Sequence, residues 1–429
     1  MELFKELANK LNKNNAKLCI IGLGYVGLPL AEAFAGKNLF VYGFDKSKDK
    51  IFKLKKGEKY IIDVEPQNIT KLIEKEKFYP TDDPKVLGLS DVIIICVPTP
   101  LRKVKLPDIS YVVDAANTIK KYIKKGQLII LESTSFPTTT KEFVLPILET
   151  SGLKEGKDFY LCFSPERVNP GDKKYPLTKI PKIVGGMSAS ATKLGVKLYL
   201  KIIKKVFPVS SPEVAETAKL YENTFRLINI ALANEFALVC EKMGISVWEV
   251  IEAAKTKPFG FMPFYPGPGI GGHCIPTDPL YLSWKAKKMG FKTKMIDLAA
   301  SLNRQMPIYV VERVLKAVPK PSAKILVVGI TYKKDVKDLR ESPALDILEE
   351  LIKRKIYADY HDEYIPFLNI ADIKKKSILL SEKTLGKYDA VILATDHNYL
   401  PYSMLQKNSK FIFDTRNVYK TKFNNVQQL

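Results

Sequence analysis

A cysteine in a loop rich in glycine and proline is the residue best suited to chemistry in this sequence. Cys274 lies in the run PGPGIGGHCIPTD, which spans residues 266–278. Glycines permit positive φ and let the backbone approach a ligand closely. A thiolate is a nucleophile, and Asp278 could act on water or orient a base. The alternative is a structural turn with an inert thiol, because most cysteines are buried and unreactive.

The remaining cysteines predict no second chemical centre. They lie in apolar stretches and are expected in the core: Cys19, Cys96, Cys162 and Cys240. The odd total and the absence of a CxxC pair argue against a disulfide framework and a structural zinc site. We therefore expect no metal.

A glycine pattern near the N-terminus predicts a dinucleotide site. Gly22, Gly24 and Gly27 form GxGxxG between a predicted strand at 17–22 and a predicted helix. Gly22 permits a tight turn, Gly24 lets the backbone approach a pyrophosphate, and Gly27 allows close helix–strand packing. Asp45 ends the second predicted strand, where an acid binds the adenosine ribose and disfavours a 2′-phosphate. The pattern therefore predicts NAD rather than NADP. The alternative is a glycine turn without a ligand.

Further polar residues stand where ligands bind in α/β folds. Lys219 and Asn223 are four residues apart in a predicted helix, so they share one face. Taken alone, Lys219 is best interpreted as a surface lysine. The segments Glu132–Thr134 and Ser164–Arg167 follow predicted strands, at the edge where parallel sheets place ligands. Such residues are also common as turn or cap residues.

The apolar pattern predicts an α/β protein. Continuous apolar strands alternate with helices over 17–210, which is typical of a parallel sheet covered on both faces. Helical spacing dominates 211–320, and after the linker VPKPSA strands and helices alternate again over 321–429. We predict two Rossmann-like, doubly wound domains joined by an all-helical connector, with an N-terminal helix at 1–16. The glycine pattern places NAD binding in the first domain.

The charge of +22 raises the question of a polyanionic partner. Only eight of the 68 basic residues are arginines, whereas nucleic-acid readers depend on bidentate arginine contacts. The lysines are also spread along the chain. We therefore favour a solvated surface whose field attracts anionic nucleotides, and keep nucleic-acid binding as a remote alternative.

Nothing in the sequence predicts a membrane segment. No apolar run approaches the ~20 residues that span a bilayer. The start, MELFKELANKLNKNN, is a short amphipathic pattern without the features of a signal peptide. We expect a cytoplasmic protein.

Together these motifs resemble the UDP-glucose/GDP-mannose dehydrogenase family over nearly the full length. The resemblance is carried by GLGYVGLPLA, CVPTP, LEST, FSPERVNPGD, AETAKLYENTFRLINIALANE, GPGIGGHCIPTDP and YKKDVKDLRES. The run KTKPFGFMPFYPGPGIGGHCIPTDPLYLSWKAK is most similar to the UDP-N-acetylglucosamine 6-dehydrogenase branch. The resemblance implies an NAD-dependent enzyme that consumes two NAD per substrate and feeds polysaccharide or glycan synthesis. It also implies that the domain at 321–429 binds the nucleotide sugar, and that the central helices form a homodimer or a higher homo-oligomer.

The resemblance also implies roles for individual residues. Cys274 would be the nucleophile, Lys219 and Asn223 would hold the reacting oxygen, and Asp278 would assist water. Thr134 and Glu166 would lie near the reacting carbon. The implied NAD contacts are Gly22, Gly24, Tyr25, Val26, Gly27, Asp45, Lys50, Thr99, Thr134 and Arg340. The implied substrate contacts are Glu166, Arg167, Val168, Lys219, Asn223, Arg226, Tyr265, Gly271, Lys333 and Arg416. Lys50 could touch the cofactor, but an exposed helix lysine is the simpler interpretation.

Two departures from the UDP-glucose branch bear on the sugar. That branch has an acidic residue where this chain has Pro170, and an arginine where it has Pro258. Both departures weaken the case for UDP-glucose. The branch similarity makes UDP-N-acetylglucosamine the expected substrate, with UDP-N-acetylmannosamine and UDP-glucose as alternatives. A simple two-electron dehydrogenase and a scaffold protein without turnover are the other readings of the fold.

Overall fold

The computed structural model describes residues 2–61, 64–100, 107–168, 174–370 and 373–429. The chain divides into two compact units. The first contains Met1–Glu222 and Trp284–Met289, and the second contains Asn223–Ser283 and Gly290–Leu429. The domain boundaries expected from the sequence remain predictions.

An eight-stranded sheet organises the first unit. Its strands are β1 Lys17–Ile21, β2 Phe40–Phe44, β3 Phe78–Thr81, β4 Val92–Ile95, β5 Leu128–Leu131, β6 Tyr160–Phe163, β7 Lys182–Gly186 and β8 Val206–Val209. They lie in the order β3-β2-β1-β4-β5-β6-β7-β8. All pairs are parallel except β6 with β7. The first six strands follow the Rossmann order, which reverses between β1 and β4 and opens a crevice there.

Helices cover both faces of this sheet. They are α1 Glu2–Asn12, α2 Gly27–Ala35, α3 Lys48–Lys56, α4 Pro66–Glu74, α5 Val86–Leu89, α6 Ser110–Lys120, a π-helix at Thr140–Val144, α7 Leu145–Glu149, a 3₁₀ turn at Leu177–Lys179 and α8 Ala189–Tyr199. Leu18 and Ile20 of β1 pack into one core with Phe34, whereas Cys19 and Ile21 pack into a second core with Val112. Alternate side chains thus enter two cores, as the continuous apolar strands predict.

Four long helical segments follow. They are α9 Pro212–Met243, α10 Val247–Lys255, α11 Cys274–Lys288 and α12 Lys294–Ala317. Ser246 caps α10 by accepting a hydrogen bond from the Glu249 N–H. The Gly- and Pro-rich run at 266–278 is only partly loop, because α11 already begins at Cys274.

A five-stranded parallel sheet forms the core of the second unit. It contains β9 Lys324–Val328, β10 Tyr357–His361, β13 Ala390–Leu393, β14 Ile412–Asp414 and β15 Val426–Gln428, in the order β10-β9-β13-β14-β15. A separate antiparallel pair consists of β11 Phe367–Ile370 and β12 Ile373–Lys376. Helices α13 Pro343–Lys353, α14 Glu382–Leu385 and α15 Tyr402–Asn408 complete it. The predicted fold class, two Rossmann-like parts and a helical connector, is confirmed.

Within the described residues, no helix combines the length and the apolar character needed to cross a membrane.

Candidate active site

The glycine turn after β1 has the geometry of a dinucleotide site. Gly22 adopts φ +90°, and a Cβ there would lie 2.6 Å from the carbonyl oxygen of Cys96. A Cβ on Gly27 would collide with the carbonyl of Gly22, whereas one on Gly24 would meet nothing within 4 Å. The open space is thus beside Gly24, where a pyrophosphate needs close access to the backbone. Helix α2 begins at Gly27 and directs its first N–H groups toward that end.

Asp45 ties the end of β2 to this turn. Its carboxylate accepts hydrogen bonds from the N–H groups of Leu23 and Ser47, both at 2.9 Å. The Lys50 ammonium lies 2.8 Å from Asp45 Oδ2. Lys50 therefore neutralises the acid that is expected to bind the ribose, and its own contact with NAD stays a prediction.

Three further expected NAD contacts flank the crevice. Tyr25 is exposed, Thr134 is half-buried after β5, and Thr99 is buried after β4. Neighbouring Ser133 fixes the start of the Thr134 loop by donating to the Val97 carbonyl at 2.8 Å. The carboxyl ends of β4 and β5 thus carry polar groups at the position where α/β sheets bind ligands.

Glu166 follows β6, and the backbone N–H groups of the next two residues hold its carboxylate. Its Oε1 accepts the N–H groups of Arg167 at 2.7 Å and Val168 at 2.6 Å. Burial raises the pKa of Glu166, and the positive charge of Lys219 opposes that rise. The carboxylate is therefore fixed in orientation, and its burial favours the protonated form.

Lys219 is buried, so its interpretation as a surface lysine is wrong. Its ammonium donates to the backbone carbonyl of Glu166. Burying a charged amine is costly without partners, and the Glu166 carbonyl supplies one. Lys219 and Glu166, predicted separately from distant motifs, are brought together by the fold.

The Arg167 side chain turns to a neighbour on α9. Its guanidinium donates to both carboxylate oxygens of Glu222, at 2.5 and 3.1 Å, and to the carbonyl of Pro181 at 2.9 Å. Bidentate pairing of this kind fixes the arginine firmly. Its expected contact with substrate stays a prediction.

Lys182 is a functional candidate that the motifs do not reveal. It begins β7, is almost fully buried, and contacts the carboxylates of Glu132 and Glu166. Burial lowers the pKa of Lys182 to about 7. The sequence offers only a lysine at the start of the apolar run KIVGG, one among many lysines.

In the second unit, Cys274 is the first residue of α11 and its side chain is exposed. The other four cysteines are buried, as predicted. A helix N-terminus favours negative charge, so the position suits an anionic sulfur. One turn further along α11, buried Asp278 accepts a hydrogen bond from the Asn223 side-chain amide at 2.6 Å.

The glycine loop before Cys274 packs tightly against neighbouring segments of the same unit. A Cβ on Gly271 would lie 2.5 Å from the Tyr332 side chain, and the Gly272 N–H donates to the Arg340 carbonyl at 2.9 Å. A Cβ on Gly267 would lie 3.0 Å from the Arg416 guanidinium. The structure thus brings Gly271 near the segment that carries Lys333 and Arg340.

Hydrogen bonds to other parts of the same unit hold several side chains that are expected to contact the substrate. Arg416 follows β14 and donates to the Ala394 carbonyl at 2.7 Å. The Tyr265 hydroxyl donates to Glu252 at 2.6 Å, while the Arg340 side chain pairs with Asp338. Arg226 is exposed on α9 and Lys333 is half-buried. Pro170 lies outside the described residues.

No set of three or more potential metal ligands (His, Cys, Asp or Glu) occurs within the part of the chain that the structure describes.

A dehydrogenase that uses a nucleotide cofactor is the class of protein indicated by the two sheets, the glycine turn and Cys274 at the start of α11. Three family models match the chain: the NAD binding domain of the UDP-glucose/GDP-mannose dehydrogenase family at 16–203, its central domain at 213–305 and its UDP binding domain at 326–421. A curated relative, the UDP-N-acetyl-D-glucosamine 6-dehydrogenase of Pseudomonas aeruginosa, is 39% identical over 391 residues, covering 89% of this chain and 90% of its own.

Solved structures agree with these matches. The UDP-D-ManNAc dehydrogenase of Pyrococcus horikoshii superposes with a TM-score of 0.87 at 35% identity, covering 96% of this chain and 98% of its own. The NDP-N-acetyl-D-galactosaminuronic acid dehydrogenase of Methanosarcina mazei Go1 gives 0.84 at 30% identity, covering 100% and 98%. The chain therefore belongs to the UDP-glucose/GDP-mannose dehydrogenase family. It is an NAD-dependent nucleotide-sugar dehydrogenase with a UDP-sugar substrate.

Proposed function

We propose that this enzyme oxidises carbon 6 of a UDP-N-acetylhexosamine, UDP-N-acetylglucosamine in the first place, to the uronic acid. The observation that carries the proposal is the position of Cys274 at the start of α11, one turn before the buried Asn223–Asp278 pair. A two-electron dehydrogenase needs no such thiol. A four-electron oxidation does, because the aldehyde formed first must be retained.

The overall balance sets what the residues must do. A primary alcohol, one water and two NAD⁺ give a carboxylate, two NADH and three protons. NAD, held by the glycine turn and Asp45, supplies the hydride acceptor when bound. The protein must therefore capture the aldehyde, stabilise oxyanions and accept protons.

Cys274 captures the aldehyde. Its sulfur forms a bond to carbon 6 while the carbonyl electron pair moves to oxygen, giving a thiohemiacetal. The Lys219 ammonium and the Asn223 amide stabilise that oxyanion, an effect commonly worth about 3 kcal/mol per donor. After the second oxidation the same sulfur holds the carbon as a thioester.

Asp278 completes the reaction by activating water. It accepts a proton as the water oxygen bonds to carbon 6, and the carbon–sulfur bond then breaks to release the thiolate of Cys274. Glu166 takes up a proton from the substrate alcohol, aided by its raised pKa. Thr134 is assigned to orient the substrate alcohol and the cofactor.

The choice of sugar rests on relatives and on two sequence positions. The relatives compared act, by their names, on N-acetylated sugars that differ at carbon 2 or carbon 4. Pro258 stands where the UDP-glucose branch has an arginine, which supports an N-acetylhexosamine. UDP-N-acetylmannosamine is the second candidate, and UDP-glucose the third.

The experiment is an NADH assay with UDP-N-acetylglucosamine, UDP-N-acetylmannosamine, UDP-N-acetylgalactosamine, UDP-glucose and GDP-mannose. We expect two NADH per UDP-N-acetylglucosamine consumed. A ratio of one would contradict the thioester route, and a preference for UDP-glucose would overturn the assigned sugar. A uronic acid product would suit a role in polysaccharide or glycan synthesis.

We also propose that a second copy of the chain covers one face of α9. Apolar side chains at helical spacing are exposed there: Phe225, Leu232, Phe236, Val239 and Met243. Leu232 is 58% exposed and Met243 65%, and a continuous apolar stripe of this kind marks a protein interface. Leu232→Glu should shift sedimentation from dimer to monomer. The control is Leu379→Glu, at an exposed leucine outside this helix, and it should leave the sedimentation unchanged.

A further inference from the structure

A lysine buried between two carboxylates lies beside Glu166 in the first unit. Lys182 is only 4% exposed, and its ammonium contacts Glu132, at the end of β5, and Glu166 Oε2 at 3.3 Å. The ammonium also lies 5.1 Å from the ring centre of Tyr199. One positive charge therefore serves two negative groups in a place cut off from water.

The two carboxylates are not equivalent. Glu132 is fully buried, and its Oε2 accepts the Tyr199 hydroxyl at 3.2 Å and the Cys96 thiol at 3.8 Å. Glu166 is 8% exposed, and its backbone carbonyl accepts a hydrogen bond from Lys219, which is assigned to the reacting oxygen. Glu132 is thus enclosed by its partners, whereas Glu166 lies next to a residue assigned to the reaction.

We propose that Lys182 is a positioning residue that sets the protonation state of Glu166 by dividing its charge between Glu166 and Glu132. The proposal rests on the proposed function, in which Glu166 takes up a proton. It adds a role for two residues that touch neither sugar nor cofactor in that scheme.

Electrostatics gives the direction of each effect. A cation within 4–6 Å favours an ionised carboxylate, and a second carboxylate disfavours it. Burial raises the pKa of Glu166 and lowers that of Lys182 to about 7, so the cluster can change its proton content near neutral pH. Since the reaction releases three protons, an internal acceptor of this kind has a use.

Two neighbours of Glu166 stay neutral at pH 7. Among the described residues, the titratable and charged groups that face Glu166 are Glu132, Lys182, Cys96, Tyr199, Lys219 and Arg167. Burial raises the pKa of the Cys96 thiol and of the Tyr199 hydroxyl, so both stay neutral at pH 7. The thiol and the hydroxyl therefore take no part in proton exchange near neutrality.

The test is the pH profile of kcat, followed by NADH release with UDP-N-acetylglucosamine, or with the sugar nucleotide that the wild type prefers in the panel above. Glu166→Gln should abolish the acid limb. Lys182→Gln should move that limb to higher pH by about one unit or more, and Glu132→Gln should move it to lower pH. Lys182→Arg, which keeps the charge, should restore the wild-type limb.

Opposite shifts are the decisive result, because a purely structural loss would not change sign between the two variants. Any of three outcomes would overturn the proposal. The acid limb stays at its wild-type pH in both variants, it shifts in the same direction in both, or it persists in Glu166→Gln. If Lys182→Gln fails to fold, the direction of the Glu132→Gln shift decides alone. A wild type that forms no NADH with any sugar nucleotide would instead sink the proposed function and this inference with it.

Discussion

Asn223 and Asp278 are joined by a 2.6 Å hydrogen bond from the amide nitrogen to a carboxylate oxygen, and both side chains are buried. The amide comes from α9 and the acid from α11, four residues after Cys274. A neutral donor orients a carboxylate without adding a second charge. The pair therefore keeps Asp278 available as a base while fixing its direction toward the start of α11.

Asp278→Asn should trap the covalent intermediate. The new amide can still accept the Asn223 hydrogen bond, so the fold should persist, but it cannot take a proton from water. We expect a burst of two NADH per subunit and then a rate at least about 100-fold below wild type. Stopped-flow absorbance and intact mass should show the burst and the thioester. Asp297→Asn, which removes a carboxylate bonded to Ser283, should turn over normally. Steady wild-type turnover in Asp278→Asn would exclude this role.

Cys274→Ser should separate binding from chemistry. The hydroxyl is a far weaker nucleophile, so uronic acid formation should fall by roughly 10³-fold or more. NAD affinity, measured by calorimetry, should stay within about twofold because the glycine turn is untouched. Cys240→Ala removes a buried thiol on α9 and should leave kcat unchanged. Product formed by Cys274→Ser at near wild-type rate would rule out the thioester.

Lys219→Ala should lower kcat by about 100-fold, since one oxyanion donor is lost. The thermal midpoint should change little compared with kcat, because within the described residues the ammonium donates one hydrogen bond, to the Glu166 carbonyl. Lys242→Ala, at an exposed lysine near the end of the same helix, is the matched control and should behave as wild type. Equal kcat in the two alanine variants would leave Lys219 without a part in the reaction.

Asp45→Ala should weaken NAD binding by about tenfold and reduce the preference against NADP. The variant loses the carboxylate that holds the Leu23 and Ser47 N–H groups and pairs with Lys50. Fluorescence titration with both cofactors measures the change. Asp49→Ala removes a neighbouring exposed ion pair with Lys53 and serves as the control. An unchanged NAD affinity in Asp45→Ala would mean that the ribose binds elsewhere.

The elements and the first site residues followed from local patterns in the sequence. The run KLCIIG predicts β1, and the two-sided burial of Leu18 and Cys19 follows from its continuous apolar character. Gly22 and Gly27 were predictable because their conformations and contacts depend on neighbours close in the chain and on one adjacent parallel strand. Periodicity and turn chemistry carry this much information.

Partners that meet across the sheet could not be predicted in this way. The antiparallel pairing of β6 with β7 brings Lys182 beside Glu132 and Glu166, which come from separate strands. No spacing rule links residues so far apart in sequence. Lys219 was misjudged on its own for the same reason, since its burial depends on the Glu166 segment. Buried polar clusters are decided by tertiary contacts rather than local propensity.

Glu216 should make the stability of the first unit fall as pH rises. This buried carboxylate accepts hydrogen bonds from the Thr138 N–H at 2.6 Å and from the N–H and hydroxyl of Thr140 at 2.9 and 2.7 Å. Burial raises its pKa to about 7 from the ordinary 4.5. Its stabilising contribution is therefore complete below about pH 4.5 and is lost as pH rises through about 7, a change of about 3 kcal/mol. Glu216→Gln cannot ionise, so its thermal midpoint should fall less between pH 5 and 8 than that of the wild type.

The control is Glu213→Gln, one turn earlier on α9. Burial acts to raise the pKa of Glu213, but hydrogen bonds and Lys141 hold that pKa below its usual value. The contribution of Glu213 to stability therefore changes only at lower pH. Parallel pH curves for the wild type and Glu216→Gln would show that Glu216 stays ionised throughout.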